Sequence, residues 1–194
     1  MMKVFFLGGT FDPIHLGHLE MARQIKEAFK PDHFLFIPGR HNPLKQTQPG
    51  ATAVQRLKML RLALEGTAFE IDEWELQREG PSYSWYTLQH LRDRFGTEAR
   101  LSMIIGDDLL EQLPQWFRWQ ELQEELEFII LPRQSSNREL LPRHYRELQV
   151  PGIEVSSTVV RDTIATGGDT TTMLPPVIRE YILQQQLYGC HSNG

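Results

Sequence analysis

Two histidines three positions apart, His15 and His18, follow a glycine pair in the stretch Gly8-Gly9-Thr10-Phe11-Asp12-Pro13-Ile14-His15-Leu16-Gly17-His18-Leu19. Imidazoles beside an oxygen-rich ligand donate hydrogen bonds, and when protonated they neutralise growing negative charge. On a helix the two would share a face. Gly8 and Gly9 let a ligand approach the backbone closely, Thr10 or Asp12 could fix the loop, and Pro13 stiffens the start of the helix. Phosphate is bound at such strand-to-helix crossings by free N–H groups and the positive end of the helix. Alone, the pair also reads as satisfied or surface histidines. A zinc site lacks a third ligand at suitable spacing. The glycines fit neither G-x-G-x-x-G nor G-x-x-x-x-G-K-[ST], so dinucleotide-dependent oxidoreductases and P-loop enzymes both lose ground.

A second constellation lies near the other end, in Ser156-Ser157-Thr158-Val159-Val160-Arg161. It reads equally as a plain helix cap with one basic residue and as a phosphate cradle of hydroxyls, N–H groups and a guanidinium. The two stretches together favour the cradle. A triphosphate has charge enough for two helix N-termini and an arginine.

Several elements must position these groups. Lys3–Leu7 reads as a buried first strand and Glu20–Phe29 as a helix. His33–Pro38 is a second strand, followed by a polar, mobile loop over Gly39–Thr52 and a helix over Ala53–Leu64. Phe69–Asp72 predicts a third strand, continued by Trp74–Gln77, and Ser84–Phe95 a further helix. Leu101–Ile105 and Leu126–Leu131 are strands, Ile153–Val155 is short and β-leaning, a helix starts at Val159, and the last helix spans Pro176–Gln186. Strands alternating with helices predict one α/β domain, a doubly wound, mostly parallel sheet with helices on both faces. His15, Asn42, Asp108, Arg133 and Ser156 all follow strands. In such a sheet, ligands sit beyond the carboxyl ends, so these residues can share a crevice.

Composition narrows the function classes. The 194 residues are 40% hydrophobic and 23% charged, ordinary for a soluble globular protein. A net charge of -5 argues against nucleic acid as the main partner but leaves room for a small phosphorylated ligand. The single cysteine, Cys190, excludes a disulfide framework or a thiolate metal cluster and fits a reducing cytosol. No leader sequence and no membrane-length apolar run is read, so a cytoplasmic chain is expected.

The Gly8–His18 stretch resembles the first motif of the H-x-G-H nucleotidyltransferase superfamily, and Ser156–Arg161 is similar to its second. Three further segments resemble the bacterial nicotinate-nucleotide adenylyltransferases: Glu79-Gly80-Pro81-Ser82-Tyr83-Ser84, Met103-Ile104-Ile105-Gly106-Asp107-Asp108 and Leu113-Pro114-Gln115-Trp116. The likeness covers the chain in family order to about Tyr188, implying a nucleotidyltransferase domain over 1–189 and a short tail over 190–194. It implies a Rossmann-like fold and adenylyl transfer from ATP to nicotinate mononucleotide, within NAD biosynthesis. Mg2+ is expected through the ATP phosphates rather than at a protein metal site.

By the same resemblance, His15 and His18 would face the ATP phosphates, with His18 nearer the α-phosphate. Gly8, Gly9, Thr10 and Phe11 would lie along the nucleotide. Arg161 with Ser156, Ser157 and Thr158 would hold the leaving phosphates, and Lys45 would close over them from the mobile loop. Gly106 and Asp108 would meet the ribose, Arg133 the nucleotide side, and Asp107 would be a cap or solvated residue. Trp116 would stack on the pyridine ring, while Ser84 and the N–H of Phe117 would meet the nicotinate carboxylate. Trp119 reads as an anchor. Donors there favour a carboxylate over an amide.

The loop Gly39-Arg40-His41-Asn42-Pro43-Leu44-Lys45 departs from the commoner family form, which has histidine where Leu44 stands. Alternative readings are a transferase using nicotinamide mononucleotide or pantetheine phosphate, and a silent nucleotide sensor. No nucleic-acid or membrane partner is expected, and a homo-oligomer is possible.

Overall fold

The computed structural model describes residues 1–40, 49–132, 140–151 and 155–190. In chain order they form β1 (Lys3–Gly9), α1 (Leu16–Phe29), β2 (His33–Pro38), α2 (Ala53–Leu64), β3 (Glu70–Ile71), α3 (Trp74–Gln77), α4 (Ser84–Phe95) and β4 (Arg100–Gly106). A 3-10 helix over Asp107–Gln115 follows, then α5 (Trp119–Glu125), β5 (Glu127–Leu131), β6 (Tyr145–Glu147), α6 (Ser157–Ala165), α7 (Pro176–Gln184) and a last 3-10 turn, Leu187–Gly189.

The strands make one sheet in the order β3-β2-β1-β4-β5-β6, with every pairing parallel. The order reverses between β1 and β4, which opens a crevice above their carboxyl ends. A parallel sheet covered on both faces needs apolar side chains on both. Alternate residues of the central strands supply them. Phe5, Leu7, Phe34, Phe36, Ile104 and Ile129 pack under α1, α2, α6 and α7. Val4, Phe6, Leu35, Ile37, Met103 and Phe128 pack under α4, α5 and the long 3-10 helix. This is the single doubly wound domain expected.

Four elements stand apart from expectation. Trp74–Gln77 does not continue the third strand but forms a helical turn. Asp72 takes the Trp74 N–H at 3.1 Å, and the Glu73 carbonyl accepts from Leu76 at 2.9 Å, which turns the chain away from the sheet edge. The sixth strand is Tyr145–Glu147, a partly exposed edge without an apolar run to announce it. It is held by Phe128 N–H to the His144 carbonyl at 2.8 Å and by a two-pronged Arg146–Glu127 ion pair at 2.8 and 2.7 Å. Of the β-leaning Ile153–Val155, residues 153 and 154 lie outside the described residues, and Val155 is not in a strand. Finally, α1 begins at Leu16, four residues before the expected start, because His15 caps it.

Candidate active site

The two histidines are built into the helix start. His15 is its N-cap: the His15 Nδ1 accepts from the His18 N–H, and the His18 Nδ1 accepts from the His15 N–H, each at 3.3 Å. This is a reciprocal capping box made from imidazoles. The rings stack with centroids 3.7 Å apart. An Nδ1 that accepts carries no proton, so each neutral ring holds its proton on Nε2. Both histidines are thereby set as Nε2 donors at the positive end of a 14-residue helix. His15 is 3% exposed and His18 half-buried.

The glycine loop is shaped from inside. Phe11 takes a left-handed backbone (φ 48°) and buries its ring against the edge of His18 and against Phe36. A Cβ at Gly9 would stand 3.1 Å from that ring, so Gly9 makes room for Phe11. A Cβ at Gly8 would meet nothing within 4 Å, leaving that backbone open toward the crevice. Only the backbone of Phe11 is placed to follow a nucleotide, because its ring belongs to the core.

The second motif is pinned to the first across the whole chain. The Arg161 Nη1 donates to the Asp12 carbonyl at 2.7 Å, and the Ser157 Oγ donates to the Pro13 carbonyl at 3.0 Å. Ser156 caps α6 by accepting from the Val159 N–H at 3.2 Å, and the Arg161 Nη2 reaches the Thr158 Oγ1 at 3.3 Å. The helix start at Ser157 and the helix start at Leu16 therefore flank one loop. Two positive helix ends and a guanidinium, partly exposed at 32%, converge there, an arrangement able to hold an anion.

Asp12 is the hub of this loop. Its side chain is 4% exposed and accepts from the N–H groups of Gly50 (2.7 Å) and Ala51 (3.0 Å) and from the Tyr188 hydroxyl (2.8 Å). Burial and the Asp12 charge push the Tyr188 phenol up, so it stays a donor. The C-terminal turn, the start of α2, α6 and the glycine loop thus meet at one carboxylate.

On the other side of the β1 end lies a cavity of about 340 Å³. Gly8, Gly9 and Thr10 form one wall; Ser84, Trp116 and Phe117 stand across it. Its volume is at the lower end for small-ligand sites, enough for a ring and a sugar. Ser84 opens α4, so its N–H belongs to a first turn with no helical carbonyl behind it. Phe117 stacks on Tyr83 with centroids 4.9 Å apart and remains 41% exposed. The buried Trp116 Nε1–H has no partner among the described residues. Trp119 packs against Phe128 as an anchor, as expected.

Asp107 is neither the solvated residue nor the side-chain cap read from the sequence. Asp107 is buried at 5%, and Asp108 is the exposed one, because the backbone of Gly106 rather than either carboxylate caps the 3-10 helix. Gly106 and Asp108 sit beside the β1 end but do not line the cavity. His15, His18 and Arg161 also lie outside it, on the phosphate side. Lys45, Arg133, Asn42, Leu44 and His41 lie outside the described residues.

Sequence reasoning missed three residues. Glu75, from the unexpected turn α3, lines the cavity and accepts from the Thr87 Oγ1 at 2.5 Å; burial pushes its carboxyl up despite that bond and one to Ser82. Arg56 is the most thoroughly buried charge, at 1% exposure. Tyr188 joins the site from the far terminus. A lone Glu, Arg or Tyr in a helical pattern carries no spacing signal, so only the fold could find them.

The chain matches the cytidylyltransferase-like family over residues 6–163. It is 34% identical over 188 residues to a protein of Staphylococcus epidermidis named probable nicotinate-nucleotide adenylyltransferase, covering 96% of this chain and 97% of that one. The nicotinate-nucleotide adenylyltransferase of Bacillus subtilis is also 34% identical, over 97% of this chain and 99% of its own length. Among solved structures, Plasmodium falciparum nicotinic acid mononucleotide adenylyltransferase complexed with NaAD superposes with a TM-score of 0.82 at 18% identity, covering 98% of this chain and 99% of that one. With two helix-end phosphate motifs pinned together, a cavity beside them and relatives alike over nearly their whole lengths, the chain belongs to the nicotinate-nucleotide adenylyltransferases of the cytidylyltransferase-like family.

Proposed function

We propose that this chain transfers the adenylyl group of ATP to the 5′-phosphate of nicotinate mononucleotide, releasing pyrophosphate and forming nicotinate adenine dinucleotide. One observation carries the reading. The glycine strand end is at once the wall of the Trp116 cavity and the start of the loop held between the two phosphate-binding helix ends. An acceptor in the cavity and a triphosphate on the helix ends would meet across Gly8–Thr10.

The acceptor phosphate is already ionised and needs no general base. Its oxygen attacks the α-phosphorus as the bond to the bridging oxygen breaks, and pyrophosphate leaves with the electron pair. The Nε2–H groups of His15 and His18 would donate to the oxygens that gain charge. Arg161 and the first N–H groups of α6 would receive the pyrophosphate. Catalysis is then positioning plus charge stabilisation.

Among the described residues no three His, Cys, Asp or Glu side chains converge to cage a metal. Magnesium keeps several waters and binds readily through substrate phosphates, so the ion would be carried in by ATP. That ion would neutralise triphosphate charge. No described helix is long and apolar enough to cross a membrane.

One residue favours a second acceptor. An ionised Glu75 in the cavity would accept from an amide, as in nicotinamide mononucleotide. Pyrophosphate release with MgATP and each mononucleotide decides. Turnover should be faster with the nicotinate form, and no turnover with either, despite ATP binding, would sink the enzyme reading.

A further inference from the structure

We propose that Arg56 is a positioning residue of the transfer reaction: from inside α2 its guanidinium fork ties the loop after β1 to the loop after β2 and so sets the gap in which the two substrates meet. The proposal rests on the adenylyl-transfer reading above.

The geometry is specific. The Arg56 Nη1 donates to the Thr10 carbonyl at 2.5 Å and to the Gly39 carbonyl at 3.0 Å, and its Nη2 to the Arg40 carbonyl at 3.5 Å. Thr10 and Gly39 both line the cavity, one from each strand end. The Gly39 N–H donates in turn to the Gly9 carbonyl at 2.9 Å, so the two loops are stitched at both backbone and side-chain level. The tie continues to the acceptor wall. The Arg40 N–H donates to the Ser82 Oγ at 3.2 Å, and Ser82 bonds onward to Glu75.

A buried cation is costly, and those retained in proteins are mostly paired with carboxylates. Arg56 spends its donors on three loop carbonyls instead, and its Nε has no partner among the described residues. Asp12 acts on it through space, with no hydrogen bond between the two side chains among the described contacts. A residue needed merely to fill this volume would be apolar. A planar fork with several donors is what can hold carbonyls from two separate loops at once. Lysine, a point charge on a flexible stem, can replace only part of that.

The test compares the parent with Arg56→Lys, Arg56→Gln and Ser82→Ala in pyrophosphate release, each assayed well below its own Tm. Binding of a non-hydrolysable ATP analogue is measured alongside by calorimetry. If Arg56 sets the gap, both Arg56 variants lose about 30-fold or more in kcat, the scale of a misplacement of around 1 Å. Analogue Kd and both KM values should move by about threefold or less, with lysine recovering more than glutamine. Ser82→Ala, which cuts the tie at its outer end, should lower kcat roughly fivefold at unchanged Tm. Parent-like kcat in the folded Arg56 variants would overturn the proposal. So would kcat and Kd worsening together with the folded fraction. Should neither Arg56 variant fold, parent-like kcat in Ser82→Ala would overturn it as well. An inactive parent would instead refute the adenylyl-transfer reading.

Discussion

The proposed phosphate side and the proposed acceptor side of this crevice are made by opposite means. On the phosphate side the working groups are helix ends, glycine backbone and two histidines, held by hydrogen bonds that begin and end in two unbroken motifs: Asp12 to Arg161, Pro13 to Ser157, His15 to His18. On the acceptor side they are single side chains from separate elements: Glu75 from α3, Ser84 and Thr87 from α4, Trp116 from the end of the long 3-10 helix. Charge recognition by backbone demands a fixed chain path over many consecutive residues. Ring recognition by aromatic surface demands only that a few side chains arrive in one place. The first lies in two unbroken stretches; of the second, Ser84 and Trp116 fall in segments that the resemblance singled out, while Glu75 and Thr87 do not.

The sharpest way to break this contrast is at His18. His18→Ala removes a donor to the transferring phosphate, and kcat should fall about 100-fold or more with the fold intact by circular dichroism. Near-normal turnover would take His18 out of the reaction. Trp116→Ala should act on the other side alone. Acceptor kcat/KM should drop by about 1–3 kcal/mol, the scale of base–aromatic stacking, while binding of an ATP analogue stays at the parent value. If the analogue weakens equally, the two sides are not separable.

Smaller effects sharpen the comparison. Tyr188→Phe deletes the bond to Asp12 and should cost about 1 kcal/mol in urea unfolding, because the carboxylate keeps its two backbone partners. No change in stability would mean that the C-terminal turn adds nothing to the phosphate loop. On the acceptor side, burial raises the Glu75 carboxyl above its ordinary 4.5. The stability this group contributes is fully present below that value and is lost as pH rises through the raised one. Glu75→Gln stays neutral, so its Tm should gain on the parent as pH climbs from about 4.5. Parallel Tm curves would show that Glu75 titrates normally.

The strands and helices that carry apolar periodicity were legible. So was the meeting of the Gly8–His18 and Ser156–Arg161 stretches, since both follow strand ends of one parallel sheet. The failures have physical causes. Trp74–Gln77 has the aromatic and alternating look of a strand, but the Asp72 carboxylate captures the next turn's N–H and bends the chain away. Tyr145–Glu147 is a strand by virtue of its neighbour β5 and an ion pair, with an exposed, polar edge that no local pattern marks. Asp107 and Asp108 are adjacent carboxylates, and which one is buried depends on the direction in which a 3-10 turn leaves β4.

Taken alone, the order of residues determined the alternating α/β architecture, the presence of a helix after each of the two motifs and the placing of His15 beside His18. Those features depend on local periodicity and capping, which neighbours in sequence supply. Tertiary structure decided that Arg161 reaches Asp12 149 residues away, that Glu75 lines the cavity, that Arg56 bonds the loops after β1 and β2, and that Tyr188 meets Asp12. Each of these is a matter of distance between segments the chain keeps far apart. Distance of that kind exists only once the sheet order has brought the strand ends together.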